Sequence, residues 1–257
     1  MQLIIFLGIL ILIWQGAYWL GVEIFQTVKS YAVPSPLDVG KRFVELCNDG
    51  TLFQAIGNSL IRGIIGFVIA VIIGIILGLL LNHFKYLQKN LKPLVLGVQT
   101  LPSVCWVPFS ILWFGLSNQA ILFVVIMGSA FSIAISVDNA IKNVLPIYIK
   151  VARTMGASKQ QIYTHVIFPA CIPEWIVGLK QGWSFAWRAL MAGEVMTTSI
   201  GLGQTLITGR DLADINQVTV VMLVIVIVGI FFDKYIFSIA EKKILRKRGL
   251  ISENSYR

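Results

Sequence analysis

The sequence predicts an all-α polytopic membrane protein with six transmembrane helices. Three observations lead to this fold class. Hydrophobic residues make up 57% of the 257 residues and give a mean hydropathy of +0.82. Charged residues make up only 13%, whereas a soluble domain typically carries about 25%. Six apolar runs approach or exceed the roughly 20 residues needed to cross a hydrocarbon core about 30 Å thick.

The six runs cover residues 3–20, 59–81, 91–116, 120–137, 172–191 and 218–237. The first, second, fourth and sixth runs are clear transmembrane helices. The first run is expected to stay in the protein, because no Lys or Arg precedes it and no small-residue cleavage pattern follows it. A cleaved signal peptide is the weaker interpretation. The third and fifth runs are interrupted by proline and by charge.

Within the second run, small residues recur on one helix face. Gly66, Ala70, Gly74 and Gly78 stand at every fourth position, which lines them up along the helix. Such faces let backbones approach closely in a membrane, where lipid provides no hydrophobic drive for association. The pattern fits a tightly packed helix pair at the centre of a transport bundle and equally fits generic helix packing.

The third run contains Pro102 and Pro108. Each proline removes a backbone donor and disfavours helix at the residue before it, so a break is expected near residues 101–107. Broken backbone at membrane depth is tolerated where protein or a water-filled path covers it. Both prolines are therefore candidate residues of a translocation path, although prolines are also tolerated in ordinary membrane helices.

The fifth run carries charge inside a span. Helical spacing places Lys180, Ser184 and Arg188 on one stripe, flanked by Trp183 and Trp187. Charges inside a span are costly and point to function by default. The alternative is that both basic side chains snorkel to the two membrane surfaces and that the tryptophans belong to the interfacial belts.

The distribution of basic residues predicts the orientation of the spans. With the N-terminus in the cytoplasm, the inner segments 82–92, 138–171 and 234–257 hold 14 Lys and Arg residues, and the outer segments hold 4. This asymmetry satisfies the positive-inside bias. We therefore expect both termini in the cytoplasm, and we attribute the net charge of +9 to topology rather than to nucleic-acid binding.

The inner segment between the fourth and fifth runs is far longer than the few residues that a connection needs. Pro146 suits a first helical position, and Gly156 suits a C-terminal stop. Ser158 and Gln161 have capping-box spacing, which predicts a second short helix that ends before Pro169. The segment thus forms helix, glycine, helix.

We refer to residues 146–168 as the elbow. Its amphipathic helices fit either a rigid part that protrudes from the inner surface of the membrane or a segment that lies on lipid headgroups. KVARTMGAS in the elbow and VIFPA at its end, residues 166–170, resemble the EAA loop of ABC importer permeases, whose pattern runs EAAxxxGA and, further on, an apolar residue before Pro. Lys150 and Val151 stand where the Glu and the first Ala of that pattern would be. The matching positions are Ala152, Gly156, Ala157 and Pro169.

The resemblance extends over nearly the whole chain and is strongest to permeases of the nitrate, sulfonate and taurine type. It includes AVPSP before the second run, QTLPSVCWVPFSILWFGL in the third, and WRALMAGE followed by GLGQTLITGRDL. It implies a type I ABC importer permease fold in the bacterial inner membrane. Residues 1–257 would then form a single transmembrane permease domain, with the segment 138–171 as its coupling loop.

The resemblance also implies partners and residue roles. Two permease copies would enclose a path for a small oxoanion such as a sulfonate, taurine or nitrate, with a cytoplasmic ATPase dimer docked on the elbow and an extracytoplasmic binding protein delivering the solute. The expected ATPase-coupling residues are Lys150, Ala152, Arg153, Gly156, Ala157, Ser158 and Pro169. The expected path residues are Pro102, Pro108, Lys180, Trp183, Ser184, Trp187 and Arg188.

Catalysis within this chain is not expected. The sequence contains no GxxxxGK phosphate loop, so ATP would be bound by partner subunits, and no cofactor or metal is predicted. The only histidines, His83 and His165, lie in different inner segments, and three cysteines in separate segments form no metal motif. An ion-coupled secondary transporter or channel is the alternative function, for which repeated halves with broken helices are typical.

Overall fold

A computed structural model of the chain describes residues 2–24 and 33–247, and all regular structure within them is helical. The all-α class is confirmed. Residues 1, 25–32 and 248–257 lie outside the described part. Predictions for the N-terminal residue, for part of the outer segment before the second span and for the basic C-terminal end therefore fall there.

The first half of the chain forms α1 (Gln2–Tyr18), α2 (Pro36–Asn48), α3 (Thr51–His83), α4 (Lys85–Gln99), α5 (Val107–Phe114) and α6 (Asn118–Lys142). The second half forms α7 (Pro146–Thr154), α8 (Lys159–Gln161), α9 (Phe168–Val195), α10 (Leu202–Asp211), α11 (Ile215–Phe231) and α12 (Ser238–Lys247). Three π-helical turns, Trp19–Ile24, Ile162–Ile167 and Phe232–Phe237, and one 3₁₀ turn, Ser103–Trp106, lie between them.

Among the described residues, four helical stretches are long and apolar enough to cross a membrane: Thr51–His83, Asn118–Lys142, Lys159–Val195 and Ile215–Arg246. They contain the second, fourth, fifth and sixth predicted runs. The third run is a pair of helices that counts as a fifth crossing if the pair is one broken span, and α1 contains a shorter apolar helix, Gly8–Tyr18. The polytopic membrane fold with helices at all six predicted positions is confirmed.

The third run is broken where the prolines predict a break. α4 ends at Gln99, and the chain restarts with a 3₁₀ turn and then α5, whose first turn contains Pro108. The two parts, Lys85–Gln99 and Ser103–Phe114, are bent by 101°. The bend arises at Pro102, which cannot donate the amide hydrogen bond that would continue α4 and disfavours helix at Leu101; Pro108 lies in the first turn of α5, where proline is tolerated.

The fifth span begins earlier than expected. The second elbow helix was predicted to end before Pro169, but it runs on into α9 as one stretch, Lys159–Val195. A π-helical turn, Ile162–Ile167, directly precedes α9. Such a turn interrupts the ladder of i to i−4 hydrogen bonds, and proline is tolerated in a first helical turn, where its missing amide has no partner to lose.

Backbone contacts divide the chain into two compact units. Unit 1 contains Met1–Ile61 and Glu194–Val228, and unit 2 contains Arg62–Gly193 and Gly229–Arg257. In unit 2, α6 is the central helix. In the most apolar 18-residue window of α6, 61% is buried. The corresponding share for the other three full-length spans is 22–28%.

The small-residue face of α3 packs directly against α6. A methyl group added at Gly74 would lie 2.8 Å from the carbonyl oxygen of Ala130, and one added at Gly78 would lie 2.6 Å from that of Ala134. Ala70, between them on the same face, is fully buried. The close helix pair that the sequence pattern suggested is therefore present, and its glycines are needed because the backbone of α6 lies against them.

Helix α9 approaches α6 in the same way. A methyl group added at Gly178 would lie 2.5 Å from Cβ of Ser136, and one added at Gly182 would lie 2.5 Å from Cγ1 of Ile133. Because α3 and α9 both approach α6 through glycines, these three helices form the tightly packed core of unit 2.

In unit 1, α2 is capped and then tied to the start of α11. The Ser35 hydroxyl accepts a hydrogen bond from the Asp38 amide at 3.1 Å, and it also donates to the Asp38 carboxylate at 2.8 Å. That hydrogen bond, together with Lys41, holds the pKa of Asp38 below its ordinary value. Further along α2, the Arg42 guanidinium lies 2.8 Å from the carboxylate of Asp214, which immediately precedes α11.

Replacing Gly78 by alanine tests the packing of α3 on α6. Gly78→Ala should destabilise the protein by about 1–3 kcal/mol, because the added methyl forces the two backbones apart. Gly97→Ala is the matched control, since this exposed helical glycine has no heavy atom within 4 Å of an added methyl. Thermal unfolding in detergent should show a lower midpoint for Gly78→Ala only, and equal midpoints for the two variants would contradict the close packing.

Candidate functional site

The turn of the elbow has the geometry of a glycine-terminated helix. Pro146 occupies the first turn of α7, and Gly156 has a φ of +82°. The Ala157 amide donates to the Ala152 carbonyl at 3.0 Å, and the Gly156 amide donates to the Arg153 carbonyl at 3.0 Å. These bonds satisfy carbonyls at the helix end, and the left-handed backbone at Gly156 favours glycine.

The second helix of the elbow starts at a complete capping box. The Gln161 amide donates to the Ser158 hydroxyl at 3.3 Å, and the Ser158 amide donates to the Gln161 side chain at 2.8 Å. Both bonds satisfy amides that would otherwise have no partner at a helix start. The predicted helix, glycine, helix arrangement is thus confirmed, and both turns are fixed by hydrogen bonds.

One side of the elbow packs against the end of α6. Ile162 and Ile167 are buried together with Ala140 and Cys171, and Ala152 and Ala157 of the elbow pack against the same cluster. The elbow is therefore joined to α6 through a small apolar core, so that a movement of one is expected to carry the other along.

The opposite side of α7 is apolar and open. Ile147, Val151 and Met155 share one face at helical spacing, and their exposed fractions are 55%, 49% and 82%. Beside Met155 and Gly156 lies a groove of about 420 Å³ that also includes Gln161 and His165. Lys150 and Arg153 are also exposed on this short helix. An exposed apolar face of this kind is typical of a surface that binds another protein.

The base of the elbow contains a buried carboxylate, Asp138, near the end of α6. Its side chain is fully buried, and its carboxylate oxygens lie 2.6 Å from the Lys92 ammonium and 2.8 Å from the Lys142 ammonium. The Asn82 amide approaches the same carboxylate at 3.4 Å. These contacts join the ends of α3 and α6 to the middle of α4; we call the four side chains the Asp138 cluster.

The predicted polar stripe of α9 is divided by the structure. Ser184 and Arg188 are exposed on one face, where Nε of Arg188 donates to the Ser184 carbonyl at 3.1 Å and the guanidinium lies 4.7 Å from the centre of the Phe185 ring. Lys180 instead forms an ion pair with Asp233 at 3.3 Å. The charge of Lys180 is therefore balanced within unit 2.

The two tryptophans of α9 lie on its buried face. The exposed fractions of Trp183 and Trp187 are 4% and 7%. Trp183 stacks on Phe232 with ring centres 4.6 Å apart and meets Phe67 edge-on at 5.2 Å. Both indoles thus contribute to the core of unit 2 and fix the rotation of α9 about its axis. Pro102, at the break before α5, and Pro108, in the first turn of α5, are exposed.

A second buried carboxylate, Glu194, is held by the start of α10 in unit 1. The Ser59 hydroxyl lies 2.7 Å from it, and the Gly203 amide donates to it at 3.0 Å. A methyl group at Gly201 or Gly203 would lie 2.5–2.6 Å from the Glu194 side chain. A carboxylate at a helix N-terminus is stabilised by the helix dipole. Here the close approach of Glu194 requires glycine at positions 201 and 203.

Sequence reasoning did not select Asp138 or Glu194 as site residues. Both are acids at the ends of apolar stretches, and an acid in that position was itself a usable signal. Their partners come from sequence distances of 46 residues for Lys92 and 135 residues for Ser59. Such pairs are not visible in helical spacing, which relates only residues a few positions apart.

Comparison with known proteins gives consistent matches. The family model described as binding-protein-dependent transport system inner membrane component matches residues 70–246. The aliphatic sulfonates transport permease protein SsuC of Bacillus subtilis is 28% identical over 249 residues, which cover 97% of this chain and 86% of the relative. The nitrate import permease protein NrtB of Synechocystis is 26% identical over 239 residues, covering 90% and 84%.

Solved structures agree with the fold. The MetNI methionine ABC transporter, in inward-facing conformations, matches with a TM-score of 0.61 and 22% identity, covering 77% of this chain and 95% of the matched chain. At this identity the likeness concerns the fold, which is that of a type I importer permease.

Proposed function

Because the chain belongs to the family of binding-protein-dependent transport system inner membrane components, as an ABC importer permease, we propose that it forms the membrane path for a small oxoanion and is driven by separate ATPase subunits. A sulfonate, taurine or nitrate fits this class of solute. The proposal assigns the path to the open face of α9 and the coupling to the elbow.

The observation that carries the path is the polar open face of α9. Gln181, Ser184 and Arg188 follow one another at helical spacing and are all exposed, although they lie within a stretch long enough to span the membrane. An arginine facing hydrocarbon is costly, so intramembrane charges usually face a bundle interior or a water-filled cavity. We therefore assign this face to a cavity.

A second copy of the permease supplies the other wall of that cavity in this proposal. Two copies related by a twofold axis would place the same α9 face on both sides, because a twofold interface uses the same surface of each subunit. An extracytoplasmic binding protein would deliver the solute to one end. The elbow would lie at the cytoplasmic end, in agreement with the positive-inside bias.

The elbow is the proposed docking site of an ATPase dimer. Its open apolar face and the adjacent groove of about 420 Å³ offer a surface for a complementary part of a partner. The second helix of the elbow is capped and packed, so it can transmit a movement of the ATPase to the membrane helices. A flexible loop would not transmit that movement. Lys150 replaces the Glu typical of the family pattern, so an acidic partner surface is expected to face it.

Arg188 supports the choice of an anion as cargo. Lys180 is paired with Asp233, whereas the described contacts of Arg188 are the Ser184 carbonyl and the Phe185 ring. A guanidinium presents a planar fork that binds two oxygens of one sulfonate or nitrate. This interaction would offset part of the desolvation of an anion, which is large in a passage of low dielectric constant.

Substitution of Gly156 tests the coupling role of the elbow. Gly156→Val should abolish most uptake at normal membrane levels, because a β-branched residue strains a backbone with φ of +82° by about 1–3 kcal/mol. Gly156→Asn should retain uptake, since asparagine tolerates this conformation. Uptake and co-purification of the ATPase would be measured for both variants. Equal uptake in the Val and Asn variants would rule out a role for the turn geometry.

Substitution of Arg188 tests the anion path. Arg188→Gln should lower solute uptake by about tenfold or more, the value of a charged hydrogen bond, and Arg188→Lys should lower it less. Arg246→Gln, which removes another exposed arginine at the far end of its helix, is the matched control. Uptake would be compared at equal membrane levels and with complex assembly intact. Parental uptake in both Arg188 variants would show that Arg188 is an interfacial anchor.

A further inference from the structure

Unit 2 contains a second, larger groove that neither the elbow surface nor the face of α9 uses. It has a volume of about 700 Å³ and lies between the end of α3, α6 and the π-helical turn that leads into α9. Its walls are mostly apolar, with contributions from Ile76, Leu80, Ile141, Phe168 and Trp175. Leu80 and Phe168 are 39% and 54% exposed, so the groove is open along one side.

The polarity of the groove changes along its length. On α3, Ile76 and Leu80 are followed one turn later by Asn82 and His83, where the helix ends. Tyr163 and Thr164 also line the groove. The second predicted span ends at residue 81, directly before Asn82 and His83, which places these two residues at the membrane surface. The groove is therefore apolar at membrane depth and polar at the membrane surface, and this polarity matches that of an amphiphilic ligand.

The polar end of the groove adjoins the Asp138 cluster. Asn82 belongs both to the groove and to the Asp138 cluster, in which two lysines share one carboxylate and leave one positive charge in excess. The segment 82–92, which starts there, contains three lysines and no acid. Basic pockets between transmembrane helices attract anionic headgroups.

The size of the groove argues against a helix as its occupant. A helix about 10 Å across that rises about 5.4 Å per turn takes up about 400 Å³ per turn, so the groove holds fewer than two turns. Its volume instead lies within the range of roughly 300–1,000 Å³ that is usual for small ligands. A single extended hydrocarbon chain fits such a shape.

We propose that this groove binds an anionic phospholipid, with one acyl chain along Ile76 and Leu80 and the phosphate at Asn82, His83 and the lysines of the Asp138 cluster. The lipid would fill the space between α3 and the start of α9, directly beside the elbow. The proposal needs only the membrane-spanning fold and does not depend on the solute that is transported.

Photolabelling tests the lipid site. The protein, in the assembly in which it is extracted, is reconstituted into vesicles of phosphatidylcholine and phosphatidylglycerol. The vesicles contain a trace of either phosphatidylglycerol or phosphatidylcholine with a photoactivatable group on one acyl chain. Labelled peptides are then mapped by mass spectrometry. The anionic probe should label peptides around residues 76–83 and 163–175 about fivefold more than the zwitterionic probe, the factor expected for one additional basic contact.

Two variants control for groove occupancy. Leu79→Trp adds bulk to a residue that lines the groove and should lower the anionic label. Leu112→Trp adds the same side chain at an 80% exposed position on α5, away from the groove, and should leave the label unchanged. Equal labelling by both probes would overturn the proposal. Labelling of α5 without labelling of the groove peptides would also overturn the proposal. That result would mean that a protein surface covers the groove in the assembly.

Discussion

The close approach of α3 and α9 to α6 is the constraint on which the rest of unit 2 depends. Glycines on both outer helices allow contact with α6, and methyl groups at Gly78 and Gly178 would lie 2.6 and 2.5 Å from α6 atoms. This contact fixes which face of α9 is buried and leaves Ser184 and Arg188 on the open side. It also places the end of α6 under the elbow, so the proposed path and the proposed coupling surface share one rigid core.

The basic side chains near the spans of unit 2 differ in the partners that they contact. Asp138 lies between two lysines, and Lys180 pairs with Asp233, so carboxylates hold these basic side chains at fixed positions. Arg188 differs because its described contacts are a backbone carbonyl and an aromatic ring. Under the proposed function, Arg188 would supply the positive charge that an oxoanion meets along the path.

Local sequence features predicted local structure well. The proline break, the glycine turn and the capping box of the elbow follow from residues within a few positions of one another, and the glycine face of α3 was visible as a repeat. Contacts across the sequence were not predictable: helical spacing shows which residues share a face but not which face is covered. For this reason Trp183 was assigned to the path although it is buried against Phe232, and the roles of Asp138 and Glu194 were missed.

The proposed function requires that the open face of α9 lines a water-filled path. Reactivity of Ser184→Cys toward a membrane-impermeant, charged thiol reagent tests this most directly, in a chain whose three native cysteines are replaced. Ile72→Cys on α3, 54% exposed but apolar in its surroundings, serves as the lipid-facing reference. The account predicts that Ser184→Cys reacts in the assembled transporter while Ile72→Cys does not. Equal lack of reaction at the two positions would contradict it.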